Sequence, residues 1–269
     1  MNNGHTGTAE KRDLADVERF TWLERKNDDF PFYNGQPVWL SAPQWSMVLV
    51  AVVLGFIALI TLEKVVSGSW ALFIPATLFF VIPLAALAFV TPGHWTSLFR
   101  KPRLRDFMWM LGFALINIVV TLLIGVLLQG TLGVNDNPVF AELASQSRND
   151  HLRFFLMTIP QLFGEELFTI LPFLALLTLF SATFGWSRRK AIVAAWLLSP
   201  LWFGAAHLPT YDWNVVQSLV LIGSARLILL LPYIMSKNIW VSTGAHILND
   251  WMILISVLAI GAAGADIAQ

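Results

Sequence analysis

Seven runs of apolar sequence, at about 44–62, 70–90, 107–129, 152–180, 191–208, 214–235 and 239–262, fix what this chain can fold into. Each is close to the ~20 residues that cross a bilayer as a helix. Inside hydrocarbon no water satisfies backbone N–H and C=O groups, so spanning segments are helices or closed barrels, and runs this long and this apolar are helices. The chain has 269 residues, 57% of them hydrophobic and 13% charged, against about 25% charged in soluble domains. These features predict an all-α fold: a polytopic membrane helix bundle of about seven transmembrane helices, a multi-pass integral protein of a cell membrane. The lipid bilayer is the first partner. A net charge of zero argues against a nucleic-acid surface. Cysteine is absent, which excludes disulfides and thiolate metal sites.

Two regions follow from the polarity. Residues 1–43 are polar and mixed in charge, with no apolar core of a leader, and predict no cleavable signal peptide. Within them Leu14, Val17, Phe20 and Leu23 recur at helical spacing, predicting a short amphipathic helix over Asp13–Lys26. A turn-rich aromatic connector, Phe30 to Pro37, leads into the transmembrane domain, 44–269. Lys11, Arg12, Arg19, Arg25, Lys26, Arg100, Lys101, Arg103, Arg105, Arg188, Arg189, Lys190 and Lys237 fall on one side of the spans, and Lys64, Arg148 and Arg153 on the other. Positively charged loops stay inside, so the N-terminal segment is cytoplasmic.

Charge inside the spans marks the candidate site. Glu165 and Glu166 lie side by side in the fourth run, in Gln161-Leu-Phe-Gly-Glu-Glu-Leu-Phe-Thr-Ile170. A charge at that depth costs roughly 2.5–3.5 kcal/mol on insertion scales, so two of them need partners, protonation or a role. Residues four apart share a helix face, which aligns His246 with Asp250 in the last run and Phe203 with His207 in the fifth. Singly, each has a bland reading: a neutral interhelical donor, an Asp250–Arg226 pair, a packing phenylalanine. His5, His94 and His151 sit in polar or interfacial positions and carry no role. Together, two glutamates, two histidines and an aspartate on three spans suit activation of water, with a carboxylate and an imidazole taking its proton and the others stabilising an oxyanion. A divalent metal such as zinc, if bound, would take His207, His246 and Glu165. Intramembrane Glu, His, Arg and Asp also build ion-coupled transporters.

In order, Glu165-Glu166, Phe203-x-x-x-His207 and His246-x-x-x-Asp250 resemble the three motifs of the CPBP family, the CAAX-prenyl-protease and bacteriocin-processing intramembrane peptidases. The resemblance covers about 152–262. It implies a membrane endopeptidase acting on a peptide or protein substrate in or at the membrane. Glu165 would be the main water-activating carboxylate, Glu166 its neighbour, His207 the partner histidine, and His246 and Asp250 the second histidine and the Asx position. It implies either a metalloprotease-like site or a metal-free water activated by glutamate and histidine. The first family motif reads Glu-Glu-x-x-x-Arg, and here its arginine position is Ile170. That departure also fits a non-catalytic binding or immunity protein on the same fold.

Three further expectations come from depth. Arg226 lies near mid-membrane in the sixth run, where the only acids at depth are Glu165, Glu166 and Asp250. One expectation is that it binds Glu166 or Asp250 and supplies from another helix the charge that Ile170 lacks; the other is that it lies nearer the cytoplasmic headgroups and contacts phosphate. His207 lies about 24 Å beyond Ala191 at helical rise, so the fifth helix must begin inside the cytoplasm, tilt, or bend at Ser199-Pro200. Glu165 and His246 fall in the cytoplasmic halves of their spans, which predicts a cavity open to the cytoplasm or the inner leaflet.

Overall fold

In a computed structural model describing residues 18–26, 28–68 and 70–267, the chain folds into helices, and the described residues contain no strand. Eight α-helices occur among them. They are α1 (Ala42–Leu62), α2 (Phe73–Val90), α3 (Leu104–Thr131), α4 (Pro138–Ser145), α5 (Arg148–Thr178), α6 (Arg188–Ala206), α7 (Gly223–Ser236) and α8 (Ile239–Ile267). A π-helical turn extends α5 over Leu179–Thr183, and another leads into α7 over Gln217–Ile222.

Six of these helices, counted with their extensions, are long and apolar enough to cross a membrane: α1, α2, α3, α5, α7 and α8. The protein is thus an integral, multi-pass helical bundle. The fifth expected span is also a helix, α6, but it opens on Arg188-Arg189-Lys190, and it does not meet the same apolar composition. Starting at Arg188 and running unbroken through Pro200, α6 ends on His207 as its C-terminal cap. An early start, rather than a break at proline, thus carries the chain to His207.

Helix α5 is the centre of the bundle. Within its apolar window 67% of residues are buried by protein, against 17% for α3 at the periphery. It packs on α1, α2, α6 and α8, while α3 closes the opposite side against α7 and α8. Glycine permits close approach at several points, Gly164 and Gly204 among them. A Cβ at Gly164 would stand 2.4 Å from the Phe79 ring of α2, and one at Gly204 would stand 2.5 Å from the backbone oxygen of Ser218. The second approach presses α6 against the π-helical lead into α7.

The expected amphipathic helix over Asp13–Lys26 falls in part outside the described residues; residues 18–26 form turns. From there to Leu40 the chain is a strap plugged into one end of the bundle, with Phe30, Phe32 and Leu40 almost wholly buried. Its acids meet the basic loops of that end. Glu24 accepts from Arg188 Nη1 at 2.7 Å and from Lys237 Nζ at 2.6 Å; Asp29 accepts from Arg188 Nη2 at 2.8 Å. Arg100 pairs with Asp28, and Arg25 of the strap with Asp106 at the start of α3. Arg188 and Lys237 also lie over the Phe30 ring, 5.5 and 4.9 Å from its centroid. Burial works against the Glu24 charge, but its two cationic partners outweigh it and hold the carboxyl at about 2. For Lys237 burial wins over Glu24 and brings the ammonium down to about 8.

Candidate active site

Glu165 and Glu166 are neighbours on one helix and so point about 100° apart. The bundle treats them differently. Glu166 is fully enclosed, 0% exposed, while Glu165 retains 15%. Arg226, 1% exposed, crosses from α7 and donates Nη1 to Glu166 Oε1 at 2.6 Å. The same guanidinium donates Nε to Thr169 Oγ1 at 2.8 Å and Nη2 to the backbone oxygen of Glu165 at 3.2 Å. Thr169 in turn donates to that same oxygen at 3.1 Å, one turn along the helix. Phe203 of α6 lies under the guanidinium, 4.8 Å from its carbon. Arg226 is therefore fixed on every side by α5, α6 and α8.

His246 joins the two glutamates. Its Nδ1 lies 3.0 Å from Glu166 Oε1 and 3.2 Å from Arg226 Nη1. A single ring nitrogen cannot donate to one and accept from the other. With Glu166 already held by Arg226, Nδ1–H donating to Glu166 is the tautomer that satisfies the acid, and it turns Nε2 toward the open side. There Nε2 stands 3.8 Å from Glu165 Oε2 and 3.7 Å from Asp250 Oδ1. These separations exceed a direct hydrogen bond and are those at which an intervening water is to be sought. Gln161 donates to Glu165 Oε1 at 3.3 Å. Asp250 accepts from Asn249 Nδ2 at 2.9 Å, and Asn249 accepts from Asn117 Nδ2 of α3 at 2.9 Å.

Of the residues singled out by sequence, Glu165, Glu166, Arg226, His246 and Asp250 thus form one connected group. His207 stands beside it. Its Nδ1 donates to the backbone oxygen of Phe203 at 2.9 Å, which leaves Nε2 free, and its ring packs on Phe203 with centroids 4.6 Å apart. Among the described residues no hydrogen bond or ion pair links His207 to the acids or to His246. Phe203 bridges it to Arg226. Ile170, in the family's arginine position, is fully buried in the main apolar cluster. Thr169, Asn117 and Asn249 were not legible as site residues; the one available signal was an amide in the middle of an otherwise apolar run.

The resemblance allows a metal on His207, His246 and Glu165. Among the described residues no group of three or more His, Asp and Glu side chains is placed to hold a metal ion. Nδ1–H of His246 on Glu166 would suit an Nε2 ligand, but with no contact between His207 and either His246 or Glu165 among the described residues, the three side chains as arranged do not fit a three-ligand zinc site.

An α-helical membrane bundle with a buried carboxylate–imidazole–guanidinium group defines the class of protein. Residues 147–252, which contain all of that group, match the family described as type II CAAX prenyl endopeptidase Rce1-like. Over this stretch the chain is similar to that family of membrane-embedded endopeptidases. Comparison with curated proteins and with solved structures gives no match.

Proposed function

We propose that the protein is an intramembrane endopeptidase that hydrolyses a peptide bond with water activated by Glu165. The observation that carries this reading is the unequal environment of the two glutamates. Glu166 is locked between Arg226 and His246, and Glu165 is left partly open beside His246 Nε2 and Asp250. Arg226 balances the charge of Glu166 and fixes its position. Glu166 orients the His246 ring.

Glu165 takes one proton from a water, and the resulting hydroxide adds to the scissile carbonyl carbon. The oxyanion that forms is met by His246 in its imidazolium form, with Nδ1–H held by Glu166 and Nε2–H directed by Asp250. Collapse of the tetrahedral species breaks the C–N bond as Glu165 returns the proton to the leaving amine. His207, with Nε2 free, serves the same water or carbonyl from the α6 side. General base catalysis of this kind contributes about 10²–10⁴-fold, and an oxyanion donor a further ~10²–10³-fold.

The test is a peptide library presented to proteoliposomes of the full chain, with products read by mass. The reading expects fragment pairs that together contain one added water, lost in Glu165→Gln. A binding or immunity protein on the same fold would give no fragments and would keep its phenotype in that variant.

A further inference from the structure

The bundle has two unlike ends, and the site faces only one of them. Toward the strap the neighbours of the site are sealed. Thr169, Ile170 and Phe173 of α5, Tyr233 of α7 and Ser242 of α8 are all buried. Below them the strap itself fills the end with Phe30 and Phe32. In the other direction protein cover falls away. Gln161, one turn from Glu165, is exposed; Asp250, one turn from His246, is 33% exposed; His207, at the far end of α6, is part-exposed.

The loops of that far end build the rest of the wall. Asn135 and Gln217 exchange two hydrogen bonds at 2.8 Å, and Asn135 Nδ2 donates to the backbone oxygen of Tyr211 at 2.7 Å. Tyr211 is buried, and its hydroxyl accepts from Asn137 Nδ2 at 3.3 Å. Burial and, after it, the charges of Asp250 and Glu165 push the phenol up to about 12, which puts this loop within the electrostatic reach of the site.

The sealed end is the basic one: Arg100, Arg188 and Lys237 all bind strap acids there. Basic loops remain on the cytoplasmic side. We infer that the site opens to the non-cytoplasmic side of the membrane, so that its substrate is a peptide segment presented from that side, such as an already translocated chain, rather than a cytoplasmic C-terminus. This reverses the cytoplasmic access expected from span depth. Depth along each helix placed Glu165 and His246 in the inner halves, but the packing of strap and core, invisible to that count, closes the inner route.

The substrate part of the inference rests on the endopeptidase reading; the sidedness does not. The chain has no cysteine, so each introduced thiol is the sole target of a maleimide. Three single variants of the full chain are compared in intact cells: Gln161→Cys beside the site, Asp136→Cys on the far loop and Lys190→Cys at the basic end. With a membrane-impermeant maleimide added outside, Gln161→Cys and Asp136→Cys should label, and Lys190→Cys only after permeabilisation. Labelling of Gln161→Cys from the Lys190 side, from neither side, or together with an inverted pair of controls overturns the inference. Labelling does not depend on turnover, so loss of the proteolytic reading would leave this result standing, and the reverse.

Discussion

Arg226 on α7 and Glu166 on α5 are joined at 2.6 Å with both side chains shut away from lipid and water. The pair is a charge moved between helices. In the family motif a cation would stand four residues after the second glutamate, on the same helix; here that position is Ile170, and the guanidinium arrives from a helix 60 residues further on. Ile170 then packs as an apolar core residue.

This relocation predicts an asymmetric rescue. Arg226→Leu leaves Glu166 as a buried charge without its cation, a loss of about 3–5 kcal/mol. Thermal unfolding in detergent should show a lower midpoint, and turnover should fall with it. Adding Ile170→Arg should restore part of both. No recovery in the double variant would mean that the guanidinium acts through something other than its charge on Glu166.

The strap predicts a second asymmetry. Glu24→Gln strands Lys237 in a buried site, leaves Arg188 with Asp29 as its acid, and should destabilise by about 3–5 kcal/mol. Lys237→Met removes a charge that burial already disfavours, leaves Glu24 paired with Arg188, and should cost much less. The acid limb follows from Glu24, whose folded value of about 2 lies below the ordinary 4.5. Its contribution is complete above 4.5 and is lost as pH falls toward 2. For Lys237 the sign is opposite to that of a stabilised cation: lowered from 10.5 to about 8, it makes stability rise with pH across that window. Unfolding midpoints measured from pH 2 to 10 in wild type and both variants check each limb.

Much of this was legible in the sequence, and the division is physical. Apolar runs of membrane length declare helices because nothing else satisfies their backbone. Arg226 could be paired by elimination, since the other charges at its depth are few. What escaped was decided by contacts distant in sequence. Nothing near Phe30 or Glu24 announces partners at Lys237 and Arg188, so from sequence the strap reads as a short amphipathic helix and a turn-rich aromatic connector. The three cations opening α6 find strap partners in the same way, which is why a run read as a full span begins in the basic end. Thr169 looked like one more helix residue until α7 supplied the arginine it receives.

Asn117 offers a test of reach across the bundle. Its amide holds Asn249, which holds Asp250, and all three lie outside the pair of glutamates. Asn117→Leu leaves the Asn249 acceptor unpaired, a cost of about 1–3 kcal/mol. If Asp250 directs His246, the variant should also lower kcat more than it raises KM; an unchanged kcat would confine Asn117 to packing.

Gly204 sits where α6 touches the backbone of Ser218. Gly204→Ala must push α6 away from α7, with an overpacking cost of about 1–3 kcal/mol. Because Phe203 and His207 ride on α6, turnover should drop further than the midpoint shift alone explains. A variant with wild-type turnover would show that His207 needs no such placement.

The division of labour between the two glutamates is tested most directly by comparing Glu165→Gln with Glu166→Gln in one preparation, reading unfolding midpoint and peptide turnover together. Both should lose turnover by about 10²-fold or more, the scale of general base catalysis. Only Glu166→Gln, which strands Arg226, should melt well below wild type, while Glu165→Gln should melt as wild type does. Turnover retained in Glu165→Gln, or a lowered midpoint in that variant alone, would contradict the account.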